Sequence, residues 1–403
     1  GGLLQEPMFA GAAARAEQAR TYSPGSLRPE TARALYGAEL HFSSSRIDVL
    51  AGCRFAHFLQ YGLRAQEREP AEFDSRFYGT FVHDVLEYIV QQTEREGGFA
   101  AVPRSRVQAL AQERMEQNAQ TLLETFPDSG RTGYLLRRTF DEVTQVVDEL
   151  YDELSVSAFR PKFCELEFSA RGALPGVAFS GKRCRGVVEG FVDRVDVWQS
   201  GGRPYVRVVD YKTGKKSFDY TNVLHGRGLQ MLLYLFALVR QGGHLLHGEP
   251  LPAGVLYFPA RIERVSVRDR LAQAEIEKER RKQLRRSGVL LNSDPVLDAM
   301  EPCGGSPRFL PYTLDKEGRK TGDLASFAQL AQLERFVFQT VAALGDELAD
   351  GRIDPDPCIR DAKDSACAFC PYSEICAGHE QPRWLKKITA EEFWQTLERR
   401  EHG

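Results

Sequence analysis

The sequence predicts an α/β fold, a small mixed sheet flanked by helices, and three observations carry that expectation. Apolar residues recur at helical spacing over 74–94 and again over 103–158. The pattern then changes to short extended runs rich in Val, Phe and Tyr and punctuated by glycines. Two of those runs end on acids: Gly190-Phe191-Val192-Asp193-Arg194-Val195-Asp196, and Val208-Val209-Asp210-Tyr211-Lys212-Thr213-Gly214.

Residues 1–40, rich in Ala, Gly, Pro and Arg, read as a loosely held lead-in. Ser43-Ser44-Ser45 ahead of Arg46-Ile47-Asp48-Val49-Leu50 is an N-capped helix start, with Cys53 at the helix end. Phe81, Val82, Val85, Leu86, Ile89 and Val90 make one face of the next helix, which also carries His83. Leu110, Met115, Val143, Val146, Val147 and Leu150 mark the helical span 103–158. Strands are expected over 163–168, 187–197 and 205–211, separated by turns at Gly176, Gly181, Gly201 and Gly202. A helix from Gly228-Leu229-Gln230 to Val239 and a strand over 254–258 follow. Residues 265–350 return to helix, interrupted by Pro- and Gly-bearing loops over 294–312, and a short helix around Ala390-Glu391-Glu392-Phe393-Trp394 closes the chain. The implied organisation is a helical part over 41–160, an α/β core over 161–265, a helical insertion over 266–350, a cysteine segment over 351–385 and a C-terminal helix over 386–403.

At 403 residues, 42% hydrophobic and 27% charged, the composition is that of a globular protein. No apolar run is long enough to span a bilayer, and no segment reads as a secretion signal. The Gly1-Gly2 start points to a cloning scar or to a fragment of a longer polypeptide. With a net charge of −3, nucleic-acid contact would rest on local basic patches. Lys182-Arg183-Cys184-Arg185 and Lys215-Lys216 are candidates; the run from Lys278 to Arg286, interleaved with Glu275, Glu277 and Glu279, reads better as a solvated helix face.

Strand side chains alternate, so Asp210 and Lys212 project from one side of the sheet. Burying an acid and a lysine together is costly and hard to explain as packing. Two acids converging on a divalent cation, with a lysine beside the attacked phosphate, suit phosphodiester hydrolysis. Gln230 and Tyr234 sit one turn apart on the following helix. Eight cysteines without a secretion signal do not read as a disulfide framework. Cys367, Cys370 and Cys376 bring three thiolates to one centre and leave it one ligand short; Cys358 is the nearest spare and Cys53 is far away in sequence. Zinc and an iron–sulfur cluster both satisfy that spacing. Cys164, Cys184 and Cys303 read as small buried hydrophobes.

In order and spacing, these motifs resemble the PD-(D/E)xK nuclease superfamily in its RecB-like branch, and within it the nuclease region of the B subunit of AddAB-type helicase–nucleases. The resemblance runs from about residue 41 to 400. It rests on Ser43-Ser44-Ser45-Arg46-Ile47, Cys53-Arg54-Phe55-Ala56-His57-Phe58-Leu59, Gly79-Thr80-Phe81-Val82-His83, the two acid-bearing strands, Gly228-Leu229-Gln230 with Tyr234, and Cys367 through Cys376. It implies a restriction-endonuclease-like core with helical insertions and a cysteine-bound cluster. By the same resemblance His83, Asp193 and Asp210 bind Mg2+ or Mn2+, and Lys212 activates the attacking water. Gln230 and Tyr234 support the site, and Glu165, or Glu167 on the same strand, adds a further acid. Cys53, Cys367, Cys370 and Cys376 would hold a 4Fe–4S cluster, leaving Cys358 out.

The implied activity is hydrolysis of single-stranded DNA, unwound from a duplex, during double-strand-break repair by homologous recombination in the bacterial cytoplasm. No phosphate-loop motif occurs, so an ATP-driven helicase–nuclease subunit is the expected partner. The alternatives are a free-standing 4Fe–4S exonuclease of the CRISPR-adaptation type, and a non-catalytic DNA-binding or scaffold module.

Overall fold

A computed structural model describes residues 11–12, 14–15, 25–65, 75–125, 130–214, 216–262, 273–376 and 381–402. Lys215 of the second basic patch lies outside them, as does most of the lead-in. Where the lead-in is described, Pro29–Tyr36 forms a helix (α1), started by Pro29 and anchored by buried Ala32 and Tyr36. It leads to strand β1 (Leu40–Ser43) and helix α2 (Ser44–Gly52), whose N-cap is Ser43, its hydroxyl accepting from the Arg46 amide.

Three long helices follow: α3 (Ser75–Arg95), α4 (Arg104–Thr125) and α5 (Gly130–Val156). The apolar face expected on α3 is the buried one. The chain then enters the sheet through β2 (Arg160–Phe168), β3 (Val177–Ser180), β4 (Arg185–Ser200) and β5 (Arg203–Lys212). Helix α6 (Gln230–Gln241) buries every residue from Met231 to Leu238, because it lies between the sheet and a later helix. Strand β6 (Leu251–Pro259), helix α7 (Gln273–Leu284), strands β7 (Ser287–Leu291) and β8 (Leu324–Ala325), and helices α8 (Phe327–Ala349) and α9 (Ala390–His402) complete the main elements. No described helix is long and apolar enough to cross a membrane.

The sheet is mixed, flanked by helices, and has eight strands, in the order β1-β4-β5-β6-β7-β8 with β2 and β3 also pairing to β4. The four strands expected from the sequence are present. Strand β7 corrects the purely helical reading of 265–350. Its Val289-Leu290-Leu291 core is too short an apolar run for periodicity to separate strand from helix. The basic run around it also divides: Lys278, Arg280, Arg281 and Lys282 are solvent-facing on α7, whereas Arg286 is buried.

Arg286 belongs to a buried ion network on one face of the sheet. Arg194 Nε lies 2.8 Å from Asp196, Arg207 Nε 2.8 Å from the same carboxylate, and Arg207 and Arg286 both reach Glu153 on α5. Burial pushes the Glu153 carboxyl up, but three surrounding guanidiniums outweigh it and hold the group at about 2. Each charge is tolerated only because its partners are present; deleting one member of such a set costs about 3–5 kcal/mol.

Candidate active site

The other face of the same strands carries the acids. β4 and β5 run antiparallel with Arg194 opposite Val209, so Asp193 faces Asp210 one step along. On its other side β4 pairs with β2, Cys164 with Arg194 and Leu166 with Val192, which sets Glu165 opposite Asp193. Three neighbouring strands thus each contribute one carboxylate. Glu165 does so from a left-handed backbone, φ 48°. Holding a non-glycine residue there costs about 1–3 kcal/mol and marks strain at a functional position. Glu167 turns away: its carboxylate accepts a 2.6 Å bond from the Ser169 hydroxyl in the turn after β2.

Helix α3 packs on β2 and β4 and delivers His83 to this edge. His83 Nε2 lies 2.9 Å from the Tyr211 carbonyl oxygen. A carbonyl only accepts, so Nε2 carries the hydrogen and the lone pair sits on Nδ1. That Nδ1 faces Asp193 Oδ2 at 3.6 Å. Burial lowers the His83 pKa, which keeps the ring neutral. The imidazole lone pair therefore faces Asp193 Oδ2, the oxygen that already accepts from the Tyr211 amide. His83, Glu165 and Asp193 each offer a ligand atom, and these atoms lie within 4.8 Å of one another.

The remaining electrostatics agree. Burial, and then the charge of Asp210, hold the Asp193 carboxyl well above the usual carboxylate range. Burial raises Glu165 too, helped by Glu87 and Asp210. A divalent cation among these groups would relieve all of these penalties. Asp210 falls outside the tight trio; its carboxylate is engaged by the Lys212 ammonium on the same face. The structure brings His83, Asp193, Asp210 and Lys212 to one side of the sheet, and the tight group holds Glu165 in place of Asp210.

Tyr211, between Asp210 and Lys212, holds Asp193 and His83 in place. Its amide donates to Asp193 Oδ2 at 2.7 Å, its carbonyl accepts from His83, and its hydroxyl accepts from Arg194 Nη1 at 2.9 Å on the far face. One residue thereby orients both donor groups and ties them to the buried arginine network. Metal-binding histidines characteristically donate their second N–H in this manner. The sequence assigns Tyr211 no role, since a peptide's hydrogen bonds leave no trace in residue identity. Asp196 does carry a signal: three positions from Asp193, it must face the opposite side of the strand.

Tyr234 sits on α6 with its ring stacked on Phe168, centroids 5.1 Å apart. Burial pushes its hydroxyl up to about 12, and Ser44 and Gln230 hydrogen-bond it. Gly190 leaves it room: a Cβ at that position would overlap the Tyr234 hydroxyl. Gln230, Tyr234 and Ser44 therefore form a wall beside the acids.

Cys370 and Cys376 are close enough to Cys367 to act on its thiol electrostatically. Cys53 lies on the segment they approach. A Cβ on its neighbour Gly52 would stand 3.8 Å from the Ala366 Cβ, and the Tyr372 hydroxyl bonds the Ala65 carbonyl at 2.8 Å. Arg54 binds Asp356 at 2.7 Å and also Glu347. The N- and C-terminal segments are thus laced together around these cysteines. No cysteine trio among the described residues is drawn as tight as the His83 group. Cys358 is buried with its sulfur 3.4 Å from the Ala51 carbonyl oxygen.

Comparison with known proteins agrees with this geometry. The B subunit of the ATP-dependent helicase/deoxyribonuclease of Moorella thermoacetica is 34% identical over 357 residues, covering 87% of this chain and 31% of the relative. Its namesake in Caldanaerobacter subterraneus subsp. tengcongensis is 31% identical over 362 residues, 86% of this chain and 30% of the relative. That of Thermoanaerobacter sp. is 28% identical over 382 residues, 91% and 33%. The chain spans about a third of the length of these curated relatives. The family model of the PD-(D/E)XK nuclease superfamily matches residues 41–377, most of the chain. With three strand-borne carboxylates, a neutral histidine and a lysine on one face of a mixed sheet, the chain belongs to the PD-(D/E)XK nuclease superfamily.

Proposed function

We propose that this chain is the nuclease portion of a helicase–nuclease subunit and hydrolyses phosphodiester bonds of single-stranded DNA with the help of a divalent cation, Mg2+ or Mn2+. The observation that carries this reading is the meeting of His83, Asp193 and Glu165, whose ligand atoms lie within 4.8 Å of one another. His83, Asp193 and Glu165 would hold the cation, and Asp210 adds negative charge from the next strand. When bound there, a divalent cation lowers the pKa of water and neutralises the non-bridging phosphate oxygens.

The chain's own residues do the rest. Tyr211 fixes Asp193 and His83 through its peptide. Lys212, on the face of Asp210, is placed to lay its ammonium against the phosphate as charge develops in the transition state. Gln230 and Tyr234 wall the site and orient the strand. Cys53, Cys367, Cys370 and Cys376 would hold a 4Fe–4S cluster that closes the fold. Four cysteines, one from the N-terminal and three from the C-terminal segment, suit that group in donor chemistry. The names of the relatives support an ATP-driven partner subunit, and the family resemblance implies a role in resecting broken DNA for recombination.

Cleavage of labelled single-stranded DNA with Mg2+, by the wild-type chain and by Asp210→Ala, tests this. A loss of about three orders of magnitude or more in the variant is expected, the scale on which removal of a charged catalytic group registers. A wild-type chain that cuts no better than Asp210→Ala, yet binds DNA, would replace this reading with that of a DNA-binding module.

A further inference from the structure

The acidic site opens on a basic cleft. Past Lys212 the chain runs through Thr213 and Gly214 to Lys216 and Ser217, opposite the end of β6 and the segment joining α7 to β7. These walls enclose a cleft of about 330 Å³. Among the described residues that line it, four are cationic, Lys212, Lys216, Arg261 and Arg285, and none is acidic, in a chain whose net charge is −3. Thr213, Ser217 and Gln283 add polar groups.

The cations are arranged rather than merely crowded. The Tyr257 ring forms the buried floor, 6.0 Å from Lys212 Nζ and 5.5 Å from Lys216 Nζ. Arg285 donates to the carbonyl oxygens of Leu310, at 3.1 Å, and Tyr312, which fixes the guanidinium without cancelling its charge. Arg261 lies over the Tyr78 ring at 4.8 Å. Among the described residues no ion pair joins Lys216, Arg261 or Arg285 to a carboxylate. Asp48 of α2 acts on Lys216 and Lys212 at longer range while accepting a 2.7 Å bond from the Gly228 amide.

We infer that this cleft is the track for the substrate strand beyond the scissile phosphate, with Lys216, Arg261 and Arg285 contacting successive backbone phosphates. The inference rests on the nuclease reading and adds which side the strand takes. A strand whose cleaved phosphate lies at Lys212 must continue somewhere, and a groove of uncompensated cations begins at that residue. Three cations lining one cleft match a polyanion better than a single small anion. Contacts of this kind hold a strand in register without reading its bases, so the track is indifferent to sequence.

The test is binding of a fluorescein-labelled oligothymidine strand in EDTA, across a salt series, by the wild-type chain and by Lys216→Ala, Arg261→Ala and the double variant. Thermal melts confirm folding; Lys216 is exposed, so its single variant remains informative should the double variant misfold. On a single strand each phosphate contact contributes about 0.7 to the slope of log affinity against log salt. The double variant should therefore lose about 1.4 from that slope and bind at least about tenfold more weakly at low salt. A slope and affinity equal to wild type, in a chain that does cut DNA with Mg2+, would overturn the track and leave the nuclease reading standing. A wild-type chain that binds with the expected slope but never cuts would sink the nuclease reading instead.

Discussion

Replacing Asp193 by Asn should stabilise the metal-free protein while abolishing its response to metal. The substitution removes one of two facing carboxylate charges and keeps the shape. The Asn oxygen can still accept from the Tyr211 amide in the place of Oδ2. Side chains opposite each other on paired strands sit about 5 Å apart, and two unit charges at that distance in an effective dielectric of about 20 repel by about 3 kcal/mol. The Lys212 ammonium on Asp210 offsets part of this, leaving a relief of about 1–2 kcal/mol. The assay is denaturant unfolding in EDTA and again in excess Mg2+. Wild type should gain about 2.7 kcal/mol once Mg2+ reaches a hundred times its dissociation constant, and Asp193→Asn should gain almost nothing. An Asn variant less stable than wild type in EDTA would refute the claim that repulsion around Asp193 strains the metal-free site.

Three further outcomes follow from the same structure. His57 is wholly buried beside Arg46. Burial, with the Arg46 charge, drives its pKa from 6.5 to about 3, so the unfolded chain takes up a proton that the folded chain refuses and stability falls as pH drops through that window. The loss is about 2 kcal/mol by pH ~5 and should shrink in His57→Gln, read as unfolding midpoints from neutral pH downward. Tyr211→Phe strips Arg194 of a buried acceptor and should cost about 1–3 kcal/mol in a denaturant melt, with weaker Mn2+ binding by calorimetry. Cys53→Ala should lose the bound iron and visible absorbance of the purified protein and lower its melting temperature, whereas Cys358→Ala should keep the iron; retention of iron without Cys53 would reassign the fourth ligand.

Much of the site is legible in the amino-acid sequence alone. Alternation along a strand is enough to put Asp210 and Lys212 on one face, and the apolar stripe around His83 is enough to make a helix. Interstrand register is not legible, and it decides the finer points. Glu165 rather than Glu167 meets Asp193 because of how β2 slides against β4, and nothing local to Glu165 encodes that. Arg286 reads as one more charge on a solvated helix, yet it lies in the core because α5 supplies Glu149 and Glu153 from more than a hundred residues away. Strand β7 is hidden by its brevity. Of the basic cleft only Lys216, in the Lys215-Lys216 pair, is marked in the sequence, because the other cations come from separate segments, each ordinary by itself.

Mn2+ soaked into crystals of the protein, with anomalous diffraction recorded at the manganese edge, tests the central claim most directly. A single strong peak bounded by His83 Nδ1 and the carboxylates of Glu165 and Asp193 is predicted, and it should vanish in Asp193→Asn. Manganese bound elsewhere, with those three side chains left facing one another untouched, would contradict the proposed hydrolytic centre.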